Sequence, residues 1–178
     1  HKTEVVAAQG VPCGVMPDEP TSYPVVLKPI TNMYGMGWQA YVLKSRSDYQ
    51  KHWGHTGMWM PLCEGPHRSI DLLLDRDGNV VWWTCFEGEL TRTFGAFSEW
   101  RWTHQSDPGA HSAVDLFSRT LLPRLAGYHG CICFESIGDT IIDDNVGADG
   151  AEVGYLLLMT YKKPGERAHG RHGLSALP

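Results

Sequence analysis

Three oxygen-bearing side chains near residue 140 have types and spacing suited to binding a divalent cation. Two short apolar runs, residues 131–137 and 140–144, are joined by a Gly-Asp pair, which is typical of a hairpin. Because side chains alternate along a strand, Asp143 and Asn145 fall on one face, and Glu135 of the neighbouring strand can meet that face. Glu135, Asp143 and Asn145 would supply the hard oxygen ligands that Mg²⁺ prefers, with phosphate groups and water completing its shell.

Two outcomes are open for this hairpin. Its acids could simply face solvent, as surface acids commonly do. If instead Glu135 and Asp143 approach each other, their like charges cost stability unless a cation lies between them. The hairpin therefore predicts a repulsive pair of carboxylates that a metal ion relieves.

A lysine followed by glycines could bind phosphate. Residues 25–27 are a short β-branched and leucine run between two prolines, which predicts a buried strand that ends at Lys28. Gly35 and Gly37 follow, and their missing Cβ atoms let the backbone lie close to a ligand and donate its N–H groups. The alternative is an ordinary β-turn that carries a surface lysine.

Cysteine and histidine residues raise the alternative of a zinc-binding or structural module. Cys131 and Cys133 alternate within an expected strand and therefore share a face, while His52 and His55 lie three apart near the end of an expected helix. The five cysteines are an odd number, and we interpret them as reduced thiols of a cytoplasmic protein. We interpret the histidines as surface residues at the end of that helix.

The elements that must position these residues can be predicted from periodicity and capping residues. Helices are expected over residues 2–9, 48–53 and 108–126, the second capped by Ser45 or Ser47 and the third interrupted at Pro123. Residues 38–43 are expected to pair antiparallel with the strand that ends at Lys28. A hairpin is expected from 70–74 and 80–86 around an Asp-Gly turn. Residues 84–106, rich in Trp and Arg, are expected to be irregular.

Composition and charge restrict the class of protein. The chain has 178 residues, 42% of them hydrophobic, which suffices for one domain or two small lobes. A net charge of −5 with interspersed acids and bases gives no electrostatic support for nucleic-acid binding. No apolar run approaches the roughly 18 residues of a membrane span, so no membrane association is expected.

The order of these segments resembles the ATP-grasp fold. The resemblance covers about residues 1–160 and rests on six stretches in the family's order, namely 1–12, 23–37, 58–65, 69–75, 130–135 and 140–145. It implies an α+β fold with two lobes, each a mostly antiparallel sheet with helices, and a nucleotide cleft between them. The expected domains are an N-terminal lobe with the glycine loop (1–62), a C-terminal lobe with the metal site (63–163) and a flexible tail (164–178).

The resemblance also implies a set of site residues. ATP contacts are expected from the first lobe and the hinge, namely Lys2, Lys28, Tyr34, Gly35, Gly37, Met60, Leu62, Cys63 and Glu64. Lys28 would also act in catalysis by neutralising phosphates, and Arg101 would bind the acceptor's anion or the transition state. Two departures from the family's pattern stand out. Pro61 removes a hinge donor, and His67 stands where an acid often binds the ribose, so that either Glu64 takes this role or the nucleotide preference is relaxed.

The function that the resemblance implies is ATP-dependent ligation. A carboxylate of a small molecule or peptide would attack ATP, and an amine or thiol would displace phosphate from the acylphosphate, with Mg²⁺ or alternatively Mn²⁺ as the cofactor. The rival interpretation is a degenerate domain that binds nucleotide or a protein partner without chemistry. The family normally has a further domain ahead of this segment, so a missing N-terminal domain or partner chain is also expected.

Overall fold

Two antiparallel sheets form the protein. The computed structural model describes residues 2–30, 39–91 and 94–146. The first sheet has four strands in the order β1-β4-β2-β3 and the second has five in the order β7-β6-β5-β8-β9. The elements in chain order are α1 (Lys2–Ala7), β1 (Gly14–Val15), β2 (Val25–Lys28), β3 (Tyr41–Leu43), α2 (Arg46–Lys51), β4 (Met58–Pro61), β5 (His67–Leu74), β6 (Val80–Leu90), β7 (Phe97–Thr103), α3 (Pro108–Thr120), a 3-10 turn (Leu122–Leu125), β8 (Gly130–Ile137) and β9 (Thr140–Val146).

The first sheet places Lys28 at the end of its central strand β2. This strand pairs with β3 on one side and with β4 on the other, and Lys28 lies opposite Met58. Val25 and Leu27 point into the core while alternate residues are half-buried, as expected for a short strand with one covered face. The pairing of β3 with β2 confirms the antiparallel partner predicted from the sequence. The Ser45 hydroxyl caps α2 by accepting from the Asp48 N–H at 3.2 Å, also as predicted.

The second sheet is built on the predicted hairpin of β5 and β6. Asp75 holds its turn by accepting backbone N–H groups from Asp77 and Asn79 at 2.9 and 2.8 Å. The prediction of an irregular segment over 84–106 is wrong, because β6 continues to Leu90 and β7 pairs with it. Strand β7 lies at the edge of the sheet, and none of its residues is fully buried. Its sequence therefore lacks the regular alternation of buried apolar residues that indicates a strand.

Helix α3 covers one face of the second sheet. Asp107 caps it by accepting from the Ala110 N–H at 2.8 Å, and the helix gives way to the 3-10 turn near Pro123, as predicted. Phe117 of α3 stacks on Phe134 of β8 with ring centroids 4.6 Å apart. The core beneath the helix contains every second residue of β5, namely Ile70, Leu72 and Leu74. The other face of β5 therefore carries the intervening side chains.

Helix α1 contacts both sheets. Val5 belongs to the core beneath α3, whereas Val6 packs with Met58 and Met60 of β4. Just beyond the helix, the Gln9 side-chain amide donates to the Ile141 carbonyl and accepts from the Ile141 N–H, each at 2.8 Å. Gln9 thus pairs with β9 as a strand residue would, which fixes the N-terminal segment to the second sheet. The predicted domain limits at 62, 63, 163 and 164 stay predictions.

Candidate functional site

Lys28 reaches from the first sheet to the second. Its Nζ donates to the carbonyl oxygen of Ile142 in β9 at 2.5 Å. Burial lowers the pKa of Lys28, and the nearby Lys2 acts in the same direction, while Asp143 and Glu135 oppose this shift. An ammonium has three N–H groups, and the single described acceptor of this largely buried one is the Ile142 carbonyl. The other N–H groups of Lys28 can therefore donate to an anion.

Lys2 and Asp143 form a second link, between α1 and β9. The Lys2 Nζ lies 2.5 Å from the Asp143 Oδ2, and the two side chains are only 14% and 19% exposed. The other carboxylate oxygen, Asp143 Oδ1, is buried and has no hydrogen-bond partner among the residues that the structure describes. Leaving a buried carboxylate oxygen unsatisfied is costly, so this atom is positioned for a ligand that supplies positive charge.

Glu135 lies directly opposite Asp143 in the pairing of β8 with β9. Its Oε2 is 3.1 Å from the Nε2 of His67, a buried side chain that packs edge-on against the rings of Phe97 and Trp100. Burial raises the pKa of Glu135, but the hydrogen bond and charge of His67, aided by Lys28 and Lys2, outweigh burial and hold the pKa below its ordinary value. Glu135 is therefore held as a carboxylate.

The expectation of a repulsive carboxylate pair needs correction. Glu135 and Asp143 do lie opposite each other, but each already has its own cationic or hydrogen-bonding partner, His67 and Lys2 respectively. The repulsion is thus offset within the protein before any metal binds. The sequence pattern could not reveal either partner, because both come from elements distant along the chain.

The two carboxylates nevertheless fit a magnesium ion. Mg²⁺ is usually held by one or two carboxylates together with phosphates and water, and Asp143 Oδ1 offers an unused oxygen. The backbone of Asn145 in β9 pairs with that of Cys133 in β8, but the Asn145 side chain lies outside what the structure describes. Within the described ranges, no three His, Cys, Asp or Glu side chains form a metal-binding group. The metal site would therefore depend on two carboxylates and the bound substrate.

The hinge between the sheets follows β4. Met60 is buried, and the Leu62 N–H donates to the Pro24 carbonyl at 3.2 Å, so that donor is used within the first sheet. Burial raises the pKa of the Cys63 thiol, while a hydrogen bond with Thr140 and the charge of Lys28 oppose this shift. Glu64 is exposed. The hinge thus retains the Leu62 carbonyl and the N–H groups of Cys63 and Glu64 as candidate adenine contacts.

Two glycines let the hinge touch the hairpin of β8 and β9. Gly138, in the hairpin turn, has φ +54° and donates its N–H to the Pro66 carbonyl at 3.0 Å. A Cβ on Gly138 would collide with the carbonyl oxygen of Glu64, and a Cβ on Gly65 would come within 2.9 Å of the Gly138 Cα. The close approach therefore requires glycine at both positions. It joins the adenine end of the candidate site to the metal end.

The structure does not bring Arg101 to this cluster. Arg101 of β7 lies opposite Glu87 of β6, and Glu87 lies opposite Arg68 of β5. The Arg68 side chain contacts Gly109 in α3. Arg101 therefore points to the helix-covered side of the sheet, whereas Glu135 lies on the other side. It is exposed and pairs with Glu89 and Glu99, each at 2.5 Å. Its predicted role in catalysis stays a prediction.

Three other sets of residues predicted from the sequence are either not described by the structure or do not form the predicted contacts. Tyr34, Gly35 and Gly37 of the glycine loop lie outside the described residues. His67, expected near a ribose, contacts Glu135 instead. The alternation of side chains along β5 predicts this contact only when the pairing of β5 with β8 is known. The residues of the rival zinc module are separated, since His52 and His55 follow α2 while Cys131 and Cys133 lie in β8.

Comparison with known proteins supports the two-sheet architecture. No protein-family model matches the chain, and no curated protein sequence matches it. Among solved structures, the chain is similar to an L-amino acid ligase from Bacillus licheniformis, with a TM-score of 0.58, 16% identity and coverage of 84% of this chain and 40% of that one. It is also similar to the D-alanine–D-alanine ligase of Bacillus anthracis complexed with ATP, with a TM-score of 0.51, 8% identity and coverage of 84% and 55%.

A third similar structure is the biotin carboxylase domain of the 2-oxoglutarate carboxylase of Hydrogenobacter thermophilus, in complex with MgADP, ADP and bicarbonate. Its TM-score is 0.53 and its identity 17%, with coverage of 83% of this chain and 39% of that one. The chain thus spans about half or less of the length of these proteins. At such identities the similarity concerns the fold. The two antiparallel sheets match those of ATP-grasp structures, so the chain has the ATP-grasp fold that the sequence resemblance implied.

Proposed function

We propose that this chain binds MgATP between its two sheets and forms the nucleotide-binding part of a ligase that joins a carboxylate to an amine or thiol. The observation that carries the proposal is the contact of Lys28 with β9. It brings a largely buried ammonium from the first sheet to within hydrogen-bonding distance of the strand that holds Asp143, whose Oδ1 lacks a partner within the described ranges. Cations and carboxylates thus converge where a phosphate chain and its metal ion would bind.

Each residue of the candidate site has a definite part in this proposal. Lys28 and Lys2 would contact the phosphates, which requires Lys2 to exchange Asp143 for a phosphate oxygen. Glu135, Asp143 and Asn145 would hold Mg²⁺, which when bound neutralises the charge of the phosphates. The hinge residues Met60, Leu62, Cys63 and Glu64 would line the adenine end, and the loop with Tyr34, Gly35 and Gly37 would cover the phosphates.

The proposed reaction has two steps. A carboxylate oxygen attacks the γ-phosphorus of ATP, the bond from that phosphorus to the bridging oxygen breaks, and ADP leaves. The amine nitrogen or thiol sulfur then attacks the acyl carbon, the bond from carbon to the phosphate oxygen breaks, inorganic phosphate leaves and the nucleophile loses a proton. Lys28 and Lys2 assist by stabilising charge on the transferring phosphoryl group. The similar structures include an L-amino acid ligase and a D-alanine–D-alanine ligase, which makes amino acids the first acids to test.

The experiment is a calorimetric titration with ATP, with and without Mg²⁺, followed by a phosphate-release assay across small carboxylic acids and amines. The expected result is Mg²⁺-dependent binding of ATP and phosphate release that requires both an acid and an amine. Absence of ATP binding would refute the proposal.

No helix in the described ranges has the length and apolar character needed to cross a bilayer. All five cysteines lie in those ranges and are free, which supports a reducing, cytoplasmic location.

A second candidate function is nucleotide binding without catalysis. It is favoured by the pairing of Asp143 with Lys2 and of Glu135 with His67, because bound metal would have to compete with these partners. The use of the Leu62 N–H by Pro24 and the missing donor at Pro61 add to it. ATP binding with no phosphate release for any pair of acid and amine would favour this candidate.

A further inference from the structure

The side of the second sheet opposite α3 carries a carboxylate that the proposed nucleotide site does not use. We call this side the open face, defined by the side chains of His67, Ser69, Asp71 and Leu73 of β5 and their neighbours in β6, β7 and β8. They alternate with Ile70, Leu72 and Leu74, which are buried beneath α3. Glu135 belongs to the open face because it lies opposite Ser69.

Asp71 lies in the middle strand of this face. It is opposite Thr84 of β6 on one side and Cys133 of β8 on the other, whose thiol lies beside the Asp71 carboxyl group. Along β5 it is two residues from Ser69, the residue opposite Glu135. Since a strand rises about 3.3 Å per residue, its Cα lies about 7 Å along the strand from the row that holds Glu135 and Asp143. A ligand bound at Asp71 would therefore adjoin the proposed phosphate end.

Asp71 has no cationic partner in the described part of the chain. No Lys, Arg or His nitrogen there lies within 4.0 Å of its carboxylate, whereas Glu135 has His67 and Asp143 has Lys2. Burial raises the pKa of Asp71, and the thiol of Cys133 opposes this shift. A carboxylate that is partly removed from water without a cation carries a free-energy cost. A positively charged ligand at this position would repay that cost.

The surroundings of Asp71 are aromatic and apolar. Trp102 lies in the neighbouring row, that of Ser69, and its indole N–H donates at 3.0 Å to Thr84 Oγ1, which lies in the row of Asp71. In the next row, Leu73 lies opposite Trp82, and their side chains remain 37% and 39% exposed. Indole rings attract cations through their π faces and pack against apolar groups. The open face thus offers one carboxylate for an ammonium and rings for the body attached to it.

We propose that the open face binds a primary amine with an aromatic or apolar body, whose ammonium group pairs with Asp71 and whose body lies on Trp82, Leu73 and Trp102. If the proposed ligase function holds, on which this identification rests, that amine is the acceptor substrate. The nearby row of Glu135 and Asp143 would then place it beside the activated acid. The amine-binding surface itself can be tested separately from ATP chemistry.

The experiment measures binding of phenethylammonium and of its neutral analogue 2-phenylethanol to the full chain by calorimetry or ligand-observed NMR, with and without MgATP. The wild type is expected to bind the cation at least about tenfold more tightly than the alcohol, since a charge-assisted contact is lost in the alcohol. Asp71→Asn is expected to lose that preference. Asp115→Asn, which removes an exposed carboxylate from α3, is the matched control and should keep it.

Equal binding of the cation and the alcohol by the wild type, or an unchanged preference in Asp71→Asn, would overturn the inference. Trp82→Ala provides a second test at a partly exposed position, where it should weaken phenethylammonium several-fold while methylammonium is unaffected. Equal weakening of both would count against the aromatic contact. Amine binding without ATP binding would refute the ligase function alone, and ATP binding without amine preference would refute this inference alone.

Discussion

The ammonium of Lys28, in the first sheet, donates to the carbonyl of Ile142, in the second sheet, across 2.5 Å. This contact joins the end of β2 to the edge strand β9 and sets the separation of the two sheets at the candidate phosphate site. Because Ile142 contributes its backbone, the contact does not depend on the side chain at that position. The identity of residue 28 therefore matters more than that of residue 142.

Replacing Lys28 by Met should separate nucleotide binding from stability. The change removes the charge and retains the stem, and the loss of one charge-assisted contact should weaken ATP binding by about 1.5–3 kcal/mol. The melting temperature without ligand should change little, because the lost hydrogen bond is offset by relief of a buried charge. Calorimetry and a thermal melt measure the two quantities. Lys51→Met, at the exposed end of α2, is the control, and equal ATP affinity in both variants would contradict the central assignment.

Asp143→Asn tests the metal end. Asp143→Asn loses the charged contact of a mostly buried ion pair with Lys2, so the free energy of unfolding should fall by about 1–3 kcal/mol without ligand. The additional thermal stabilisation that Mg²⁺ gives to the ATP complex should disappear. Asp139→Asn, in the exposed turn of the same hairpin, should change neither quantity. A wild type that gains nothing from MgATP beyond ATP alone would show that Glu135, Asp143 and Asn145 do not hold the metal.

The pairing of Glu135 with His67 predicts a dependence of stability on pH. The pKa of Glu135 is held below its ordinary value of 4.5, so the folded carboxylate contributes stability that is fully present above pH 4.5. That contribution is lost as the pH falls through the lowered pKa. Urea unfolding of the wild type and Glu135→Gln between pH 7 and pH 3 should show a stability difference that is constant at higher pH and shrinks below about pH 4.5.

The control for this titration is Glu64→Gln, which removes a carboxylate from an exposed hinge position. Its difference from the wild type should not follow the same curve. A stability difference for Glu135→Gln that grows as the pH falls would have the opposite sign and would exclude the carboxylate as the stabilising form.

Gly138→Ala should strain the contact between the hinge and the hairpin. The new Cβ would meet the Glu64 carbonyl at a residue whose φ is +54°, and we expect a loss of about 2–4 kcal/mol in unfolding free energy. Gly78→Ala is the matched control, because its φ is also positive, at +80°, but nothing lies within 4 Å of the new atom. It should cost only about 1 kcal/mol. Equal losses in chemical denaturation would mean that the hinge moves aside freely.

Arg101→Ala tests the placement of a residue that the sequence assigned to catalysis. Because Arg101 lies on the helix-covered side of the sheet and pairs with Glu89 and Glu99, its removal should leave MgATP affinity unchanged. Calorimetric titration of the variant measures this directly. A large drop in turnover with intact binding would instead support the role predicted from the sequence and require the β6–β7 hairpin to move toward the substrate.

Several features of the fold could be derived from the sequence because they depend on neighbours along the chain. The strand that ends at Lys28, the Asp75 turn, the Ser45 cap and the hairpin that pairs Glu135 with Asp143 all follow from local periodicity and turn residues. The resemblance to ATP-grasp proteins came from the order of such segments. Local patterns of this kind determine which element forms, since each is stabilised by contacts within a few residues.

The tertiary structure alone decided which partners these residues have. Lys2, 141 residues before Asp143 in the chain, neutralises that carboxylate, and His67 reaches Glu135 only because β5 pairs with β8. The pairing of five strands also places Arg101 and Glu135 on opposite sides of one sheet and leaves Asp71 without a cation among the described residues. Strand order and register are set by which faces can be buried together. That is a property of the whole core, so no stretch of sequence specifies it by itself.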